Sequence, residues 1–347
     1  MKTIFNSNIT VQEFYDSYWQ KKPLFLKNVL ESSEEYLSIE DVLELAQNED
    51  AVSRLLAKQD NYNDPWTNKT GPFNSQEINN LPKNSVMMIQ NTEAWSSTIG
   101  DLWNDMLNFI PSWLRDDIMG FYTSKDATVG KHYDDYDVFL LQLSGNQRWQ
   151  LGKKCDQNTE YLENQPIKIF TDMGEIILDE VMEPGDILYI PRNIAHYGVG
   201  INDGTTLSFG LRSLSTEETL IGILRSITSQ QIDNNFNVPI NTPKELLSEN
   251  YISENVIKFF QEELIRTIKS DNFSKILENA LGRSVTDRRY DMLEYDAEIY
   301  SDELLESLED GMGIKQDLNT KITYTTSNNL VSIFINGEFI EDLSDSE

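Results

Sequence analysis

The 347-residue sequence holds only two histidines, His132 and His196, and the first stands two residues from a carboxylate in His132-Tyr133-Asp134. On a strand, a two-residue spacing puts His132 and Asp134 on the same face. A histidine from a distant antiparallel strand can then complete a facial set. Two neutral imidazoles and one carboxylate on one face of an octahedron leave three positions open, which suits a non-haem Fe(II) that takes a bidentate co-substrate and then dioxygen. Closed structural zinc sites favour four ligands rich in Cys and His, and one cysteine, Cys155, with two histidines falls short of that. A lone HxD is a weak signal, and a histidine satisfied inside a core is the commoner case. The surroundings argue the other way: His132 precedes the apolar run Val138 to Leu141, and His196 follows a run closed by Pro191.

These residues need a scaffold, and the texture of the chain supplies one. From about residue 119 the sequence reads as short strands broken by turn residues: Val138 to Leu143, Arg148 to Leu151, Glu175 to Leu178, Ile187 to Ile190 and Thr205 to Leu211. Ser144 to Asn146 and Glu183-Pro184-Gly185-Asp186 are the turns. Many short strands at even spacing with Gly and Pro punctuation predict a jelly-roll or cupin-like barrel. Before it, residues 1–120 read as mixed helix and loop. Val11 to Trp19 carries an apolar stripe, Leu24 to Leu26 is extended after Pro23, Ser38 and Asp41 form a capping box, and Leu102 to Met106 is a further helix. The Trp residues of this region, Trp113 among them, are expected in the core. Residues 213–290 switch to helical periodicity. Ser215 and Glu218 make a capping box ahead of Leu220, Leu224 and Ile227, and Val256, Phe260, Leu264 and Ile268 mark a second amphipathic helix. The stripes predict an oligomerisation surface. Asp302 to Leu308 reads as helix, and Ile322 to Ile340 as strands joined by an Asn336-Gly337 turn. The fold class is therefore mixed α+β.

Composition narrows the partners. The hydrophobic fraction of 39% suits a globular chain, and its longest apolar runs fall far short of the roughly 20 residues that cross a bilayer. The first ten residues lack a basic segment followed by an apolar stretch, so a cytoplasmic protein is expected. A formal charge of −30 disfavours direct nucleic-acid binding, which requires clustered Lys and Arg. It suits a basic protein partner, although excess acid also serves solubility alone.

The run His132-Tyr133-Asp134-Asp135-Tyr136-Asp137-Val138-Phe139-Leu140-Leu141-Gln142, with Gly145 and Trp149, then Glu183-Pro184-Gly185-Asp186-Ile187-Leu188-Tyr189-Ile190-Pro191 leading to His196, resembles the JmjC-type ribosomal oxygenases, nearest their bacterial arginine-hydroxylating members. Supporting matches lie at Trp19-Gln20-Lys21-Lys22-Pro23, Ser53-Arg54-Leu55, Gly71-Pro72-Phe73, and Pro111-Ser112-Trp113 before Asp116-Asp117. The resemblance implies a double-stranded β-helix catalytic domain over 1–212, a helical dimerisation module over 213–292, and a winged-helix-like module, partial in this chain, over 293–347. It implies a dimeric Fe(II)- and 2-oxoglutarate-dependent enzyme that hydroxylates the β-carbon of an arginine in large-subunit ribosomal protein sixteen. Hydroxylation of a histidine, or a metal-binding interaction module without turnover, are the competing readings. His132, Asp134 and His196 would hold the iron, and Thr123 stands where the family places a hydroxyl near the co-substrate. One departure is plain: family members usually carry Lys or Arg two residues before the Trp, to pair with the distal carboxylate of 2-oxoglutarate, and this chain has Gln147. Arg148 is adjacent, and alternation aims it at the opposite face unless a bulge shifts the register.

Overall fold

In the computed structural model the described residues are 4–5, 9–58, 66–228, 239–248, 251–287, 320–327 and 330–344. Contacts divide the chain into two units, one built on residues 1–213 and one on 214–291 with 320–347.

The first unit contains α1 (Val11–Ser17), β1 (Leu24–Leu26), α2 (Ile39–Leu45), β2 (Ser53–Lys58), β3 (Trp66–Thr70), α3 (Ser75–Asn79), β4 (Ser85–Ile89), α4 (Ser97–Asp105), β5 (Arg115–Thr123), β6 (Asp137–Gln142), β7 (Gln147–Lys154), β8 (Leu178–Met182), β9 (Ile187–Ile190), β10 (Ile194–Gly200) and β11 (Gly204–Leu211). Eight of these strands form one sheet in the order β1-β9-β6-β11-β5-β4-β2-β3, and a smaller sheet runs β10-β7-β8. Val138, Leu140, Leu188 and Ile190 from the large sheet pack against Trp149, Leu151, Met182 and Ile194 from the small one. The large sheet's other face buries Phe139, Leu141, Tyr189, Leu207 and Phe209 against Phe14 of α1 and Ile99 and Leu102 of α4. Burial on both faces explains why β6 is apolar at nearly every position rather than alternating. This is the two-sheet core of the jelly-roll or cupin-like kind that the strand spacing predicted.

Four expectations change. The N-terminal region is not only helix and loop, because β2, β3 and β4 extend the large sheet. The Leu- and Met-rich runs of β2 and β4 carry little strand propensity, and burial in the sheet overrides it. The strand expected at Glu175 to Leu178 runs instead from Leu178 to Met182, leaving Ile176 and Ile177 exposed. His196 follows the strand closed by Pro191, as expected, but sits within an unforeseen strand, β10, whose Ile-Ala-His-Tyr-Gly-Val-Gly composition gives no periodic signal. Trp113 is half exposed rather than core.

In the second unit, α5 (Thr216–Thr228), α6 (Glu254–Ile268) and α7 (Asp271–Thr286) precede the three-stranded sheet β12 (Ile322–Ser327), β13 (Leu330–Ile335) and β14 (Glu338–Ser344). Ile223 of α5 meets Ile276 and Ala280 of α7. The other side of α7 lies on the sheet so closely that a methyl added at Gly282 would come within 2.3 Å of the Phe334 ring. The helices and C-terminal strands fall in one unit by their contacts. The expected helix from Asp302 to Leu308 lies outside the described residues. Asn336 and Gly337 take positive φ of 48° and 82°, as a two-residue hairpin turn requires. Among the described residues, no helix is long and apolar enough to cross a membrane.

The start of β6, which follows the HxD run, is pinned by one buried carboxylate. Asp137 accepts hydrogen bonds from the Tyr189 hydroxyl at 2.6 Å, from Gln20 Nε2 at 3.1 Å and from the Arg192 amide at 3.4 Å. Asp137→Ala removes the acceptor and strands buried donors, a loss of about 2–3 kcal/mol. The unfolding midpoint is expected to fall by roughly 5–10 °C. A thermal scan within a degree or two of wild type would show that Asp137 does not anchor the strand.

Candidate metal centre

The two histidines are joined through their backbones. The His132 amide donates to the His196 carbonyl at 3.1 Å, and the His196 amide donates back to the His132 carbonyl at 2.8 Å. Residues exchanging both bonds in an antiparallel bridge present their side chains on one face. HxD thus lies not on a regular strand, as expected, but in a loop held to β10 by this bridge. The result is the same convergence: the imidazole centroids are 4.1 Å apart and the Nε2 atoms 3.0 Å apart. Asp134 Oδ2 lies 3.6 Å from His196 Nε2. Its backbone is tied down by the Asn193 amide, which donates to the Asp134 carbonyl at 2.7 Å. One ligand atom from each of the three residues falls within 4.8 Å of the others.

The ring orientations carry the chemistry. His132 Nδ1 lies 3.0 Å from the Gly130 carbonyl, and His196 Nδ1 lies 2.9 Å from the Ile194 carbonyl. A carbonyl can only accept, so each Nδ1 carries the proton and each Nε2 keeps a lone pair. Two lone pairs at 3.0 Å repel unless a cation sits against both. Burial reinforces the neutral state of the imidazoles, pushing the His196 pKa well below the usual range, with the neighbouring His132 adding to it. Burial also pushes the Asp134 carboxyl up, partly offset by His132. A bound divalent cation would reverse this penalty at the carboxylate and accept all three donors without displacing a proton from either imidazole. Two imidazole nitrogens and one carboxylate oxygen fit a facial triad.

A cavity of about 320 Å³ opens onto this triad. Its walls are mainly apolar, with Met119, Phe121, Tyr136 and Trp149 beside the ligands, and Arg54 and Lys168 are the cations on its lining. Sequence reasoning did not place Arg54 here, because the strand carrying it was unforeseen, although Ser53-Arg54-Leu55 stood out as a motif.

The remaining site residues separate. Thr123 is buried at the end of β5, and Gln147 is buried at the start of β7, its Oε1 3.4 Å from the Thr206 hydroxyl. Neither lines the cavity. Arg148 faces away from the barrel interior: Nε and Nη2 grip Asp179 at 2.7 and 2.6 Å in a two-pronged pair on the outer surface. That pairing, with help from Gln150, holds the Asp179 carboxyl at about 2. The irregularity in the β7–β10 register falls between Leu151 and Lys154, beyond Arg148, so alternation holds where it matters. Arg148 is therefore turned outward, toward Asp179.

Comparisons with known proteins agree with this geometry. A JmjC domain model matches residues 101–219, and a ROXA-like winged-helix model matches residues 267–347. The chain is 41% identical over 342 residues to a probable ribosomal oxygenase of Haemophilus influenzae, covering 97% of this chain and 83% of that protein. It is 30% identical over 225 residues to the ribosomal protein uL16 3-hydroxylase of Escherichia coli, covering 65% of this chain and 58% of that one. Among solved structures, E. coli YcfD superposes with a TM-score of 0.76 at 24% identity over 96% of this chain and 86% of that one. YcfD in complex with cobalt and 2-oxoglutarate gives 0.73 at 23% identity, with the same coverage. The chain belongs to the JmjC-type ribosomal oxygenases, a family whose activity is that of a 2-oxoglutarate- and Fe(II)-dependent dioxygenase.

Proposed function

We propose that this protein binds Fe(II) through His132, Asp134 and His196 and uses 2-oxoglutarate to hydroxylate the β-carbon of an arginine in a uL16-type ribosomal protein. The observation that carries the proposal is the pair of Nε2 lone pairs held 3.0 Å apart with both imidazole protons committed to backbone carbonyls. The substrate class is supported by the uL16 3-hydroxylase among the relatives. When bound, the metal and co-substrate together convert dioxygen and 2-oxoglutarate to succinate, CO2 and one oxygen atom delivered into a substrate C–H bond. The protein's share is positional. The backbone bridge fixes the imidazoles, the Asn193 amide fixes the loop carrying Asp134, and Met119, Phe121, Tyr136 and Trp149 keep the cavity largely apolar.

His132→Ala, Asp134→Ala and His196→Ala are each expected to lower Mn(II) affinity by at least about a hundredfold, since even outer contacts of a metal ligand cost 10–100-fold. Titration followed by electron paramagnetic resonance reads this directly, and wild-type affinity in any variant removes that residue from the site. The reaction itself is tested by incubating purified protein with Fe(II), 2-oxoglutarate and a uL16-type protein. Succinate should form and mass spectrometry should show +16 Da on an arginine. A shift on histidine, or succinate without any shift, would rule out arginine as the target.

We further propose that the second unit dimerises the protein. On α5, Leu220 and Leu224 are 55% and 62% exposed, and on α6 Ile257, Leu264 and Ile268 are 58%, 58% and 54% exposed. No residue of α6 is buried. Contiguous apolar faces of this kind mark interaction surfaces. Light scattering at micromolar concentration should give a dimer mass, and Ile257→Asp combined with Leu264→Asp should give a monomer. A monomeric wild type would exclude this interface.

A further inference from the structure

Arg54 is partly buried and lines the cavity from β2, two strands beyond β5 in the large sheet. Among the described residues its side chain makes one polar contact, with the Met88 sulfur at 4.0 Å. Acidic residues outnumber basic ones 58 to 28 in this chain, yet the one carboxylate on the cavity lining is that of Asp134, which belongs to the triad. A guanidinium withdrawn from water without an acid beside it is costly. The sheet shows what the position is open to. Arg54 pairs with Met88 and Met88 with Phe121, so the three share one face, and all three line the cavity. Farther along the same sheet, Val138 and Leu140 of β6 are covered by Trp149 and Ile194 of the small sheet that carries His196. Leu56, Val86 and Met88 are covered instead by Ala127, Val129 and Ile167 from the loops. The cavity thus has an inner half roofed by the small sheet and an outer half roofed by loops, with Arg54 on the floor of the outer one. β2 is four strands from β6, or about 19 Å. A co-substrate chelated at the triad belongs to the inner half, which leaves the outer half to the polypeptide.

Resting on the substrate proposed above, we propose that Arg54 determines specificity by pairing with a carboxylate of the substrate protein, about four to six residues along its extended chain from the residue that is hydroxylated. The planar guanidinium fork matches a carboxylate with two parallel hydrogen bonds. Long-range and local charge then act in opposite directions. The net charge of −30 draws a basic protein to the enzyme, whereas Arg54 and Lys168 on the lining repel a uniformly basic segment and admit one that carries an acid at the right distance.

Calorimetric titration of the Mn(II)-loaded full chain with 2-oxoglutarate, and separately with a uL16-type protein, tests this. Arg54→Gln is expected to weaken binding of the protein by about tenfold, with Mn(II) affinity, 2-oxoglutarate affinity and the unfolding midpoint unchanged. Each Asp or Glu of the uL16-type protein within six residues of its modified residue is then replaced by Asn or Gln. One such replacement should cost about tenfold against wild type and nothing further against Arg54→Gln. Arg54→Glu should prefer the uL16-type protein with Lys at that position over the unaltered one. Unchanged protein binding in Arg54→Gln, or the lack of any acid whose loss couples to it, would overturn the proposal. A loss of tenfold or more in 2-oxoglutarate affinity with protein binding intact would also overturn it, and would assign Arg54 to the co-substrate. These three outcomes leave the substrate reading standing. A wild type that binds Mn(II) and 2-oxoglutarate but no uL16-type protein removes that reading, and this inference with it.

Discussion

The site rests on one reciprocal pair of backbone hydrogen bonds, between His132 and His196. It joins a loop to a strand 64 residues later, and everything chemical follows from the face it selects. Once both imidazoles share that face, the Gly130 and Ile194 carbonyls take the Nδ1 protons and leave two lone pairs pointing at one spot. Neither carbonyl belongs to the metal-binding set, yet together they decide which nitrogens can bind. The Asn193 amide does the same for the third ligand by holding the Asp134 backbone.

The bridge can form only because β10 and the HxD loop are each fixed independently. β10 pairs with β7 along its length, and the opposite end of the loop runs into β6 at Asp137. That aspartate is the third carboxylate in the run Asp134-Asp135-Tyr136-Asp137, and it does structural work, accepting from Tyr189, Gln20 and Arg192. Tyr189 is in turn fully buried against Phe14 and Phe139, so the N-terminal helix reaches the metal loop through two packed layers. Carboxylates three residues apart thus divide their labour by environment. Asp134 opens on the cavity, whereas Asp137 is enclosed by donors.

Features set by neighbouring residues were legible in the sequence. The Ser38–Asp41 and Ser215–Glu218 capping boxes form as expected, as does the Asn336-Gly337 turn, because each depends on backbone geometry within a few positions. β6 was legible because burial on both faces leaves no polar position to disguise it. The strands that went unseen depend on distant partners. β2 and β4 are strands because the edge of the large sheet is there to receive them, and β10 because β7 and the HxD loop flank it. The convergence of His132, Asp134 and His196 was anticipated from residue type, but the local reason given for it, a shared strand face, was replaced by a long-range bridge.

Arg148 shows where local reasoning stops short. Strand alternation put it outside the barrel and Gln147 inside, with one escape: an extra residue in β7 that would reverse the two. β7 does contain an extra residue relative to β10, since Ile194 pairs with Lys154 but His196 pairs with Leu151. It falls after Leu151, so Gln147, Trp149 and Leu151 keep the interior while Arg148 reaches Asp179 across the β7–β8 pairing. The same irregularity three or four residues earlier would have placed a guanidinium in the barrel and the amide in solvent.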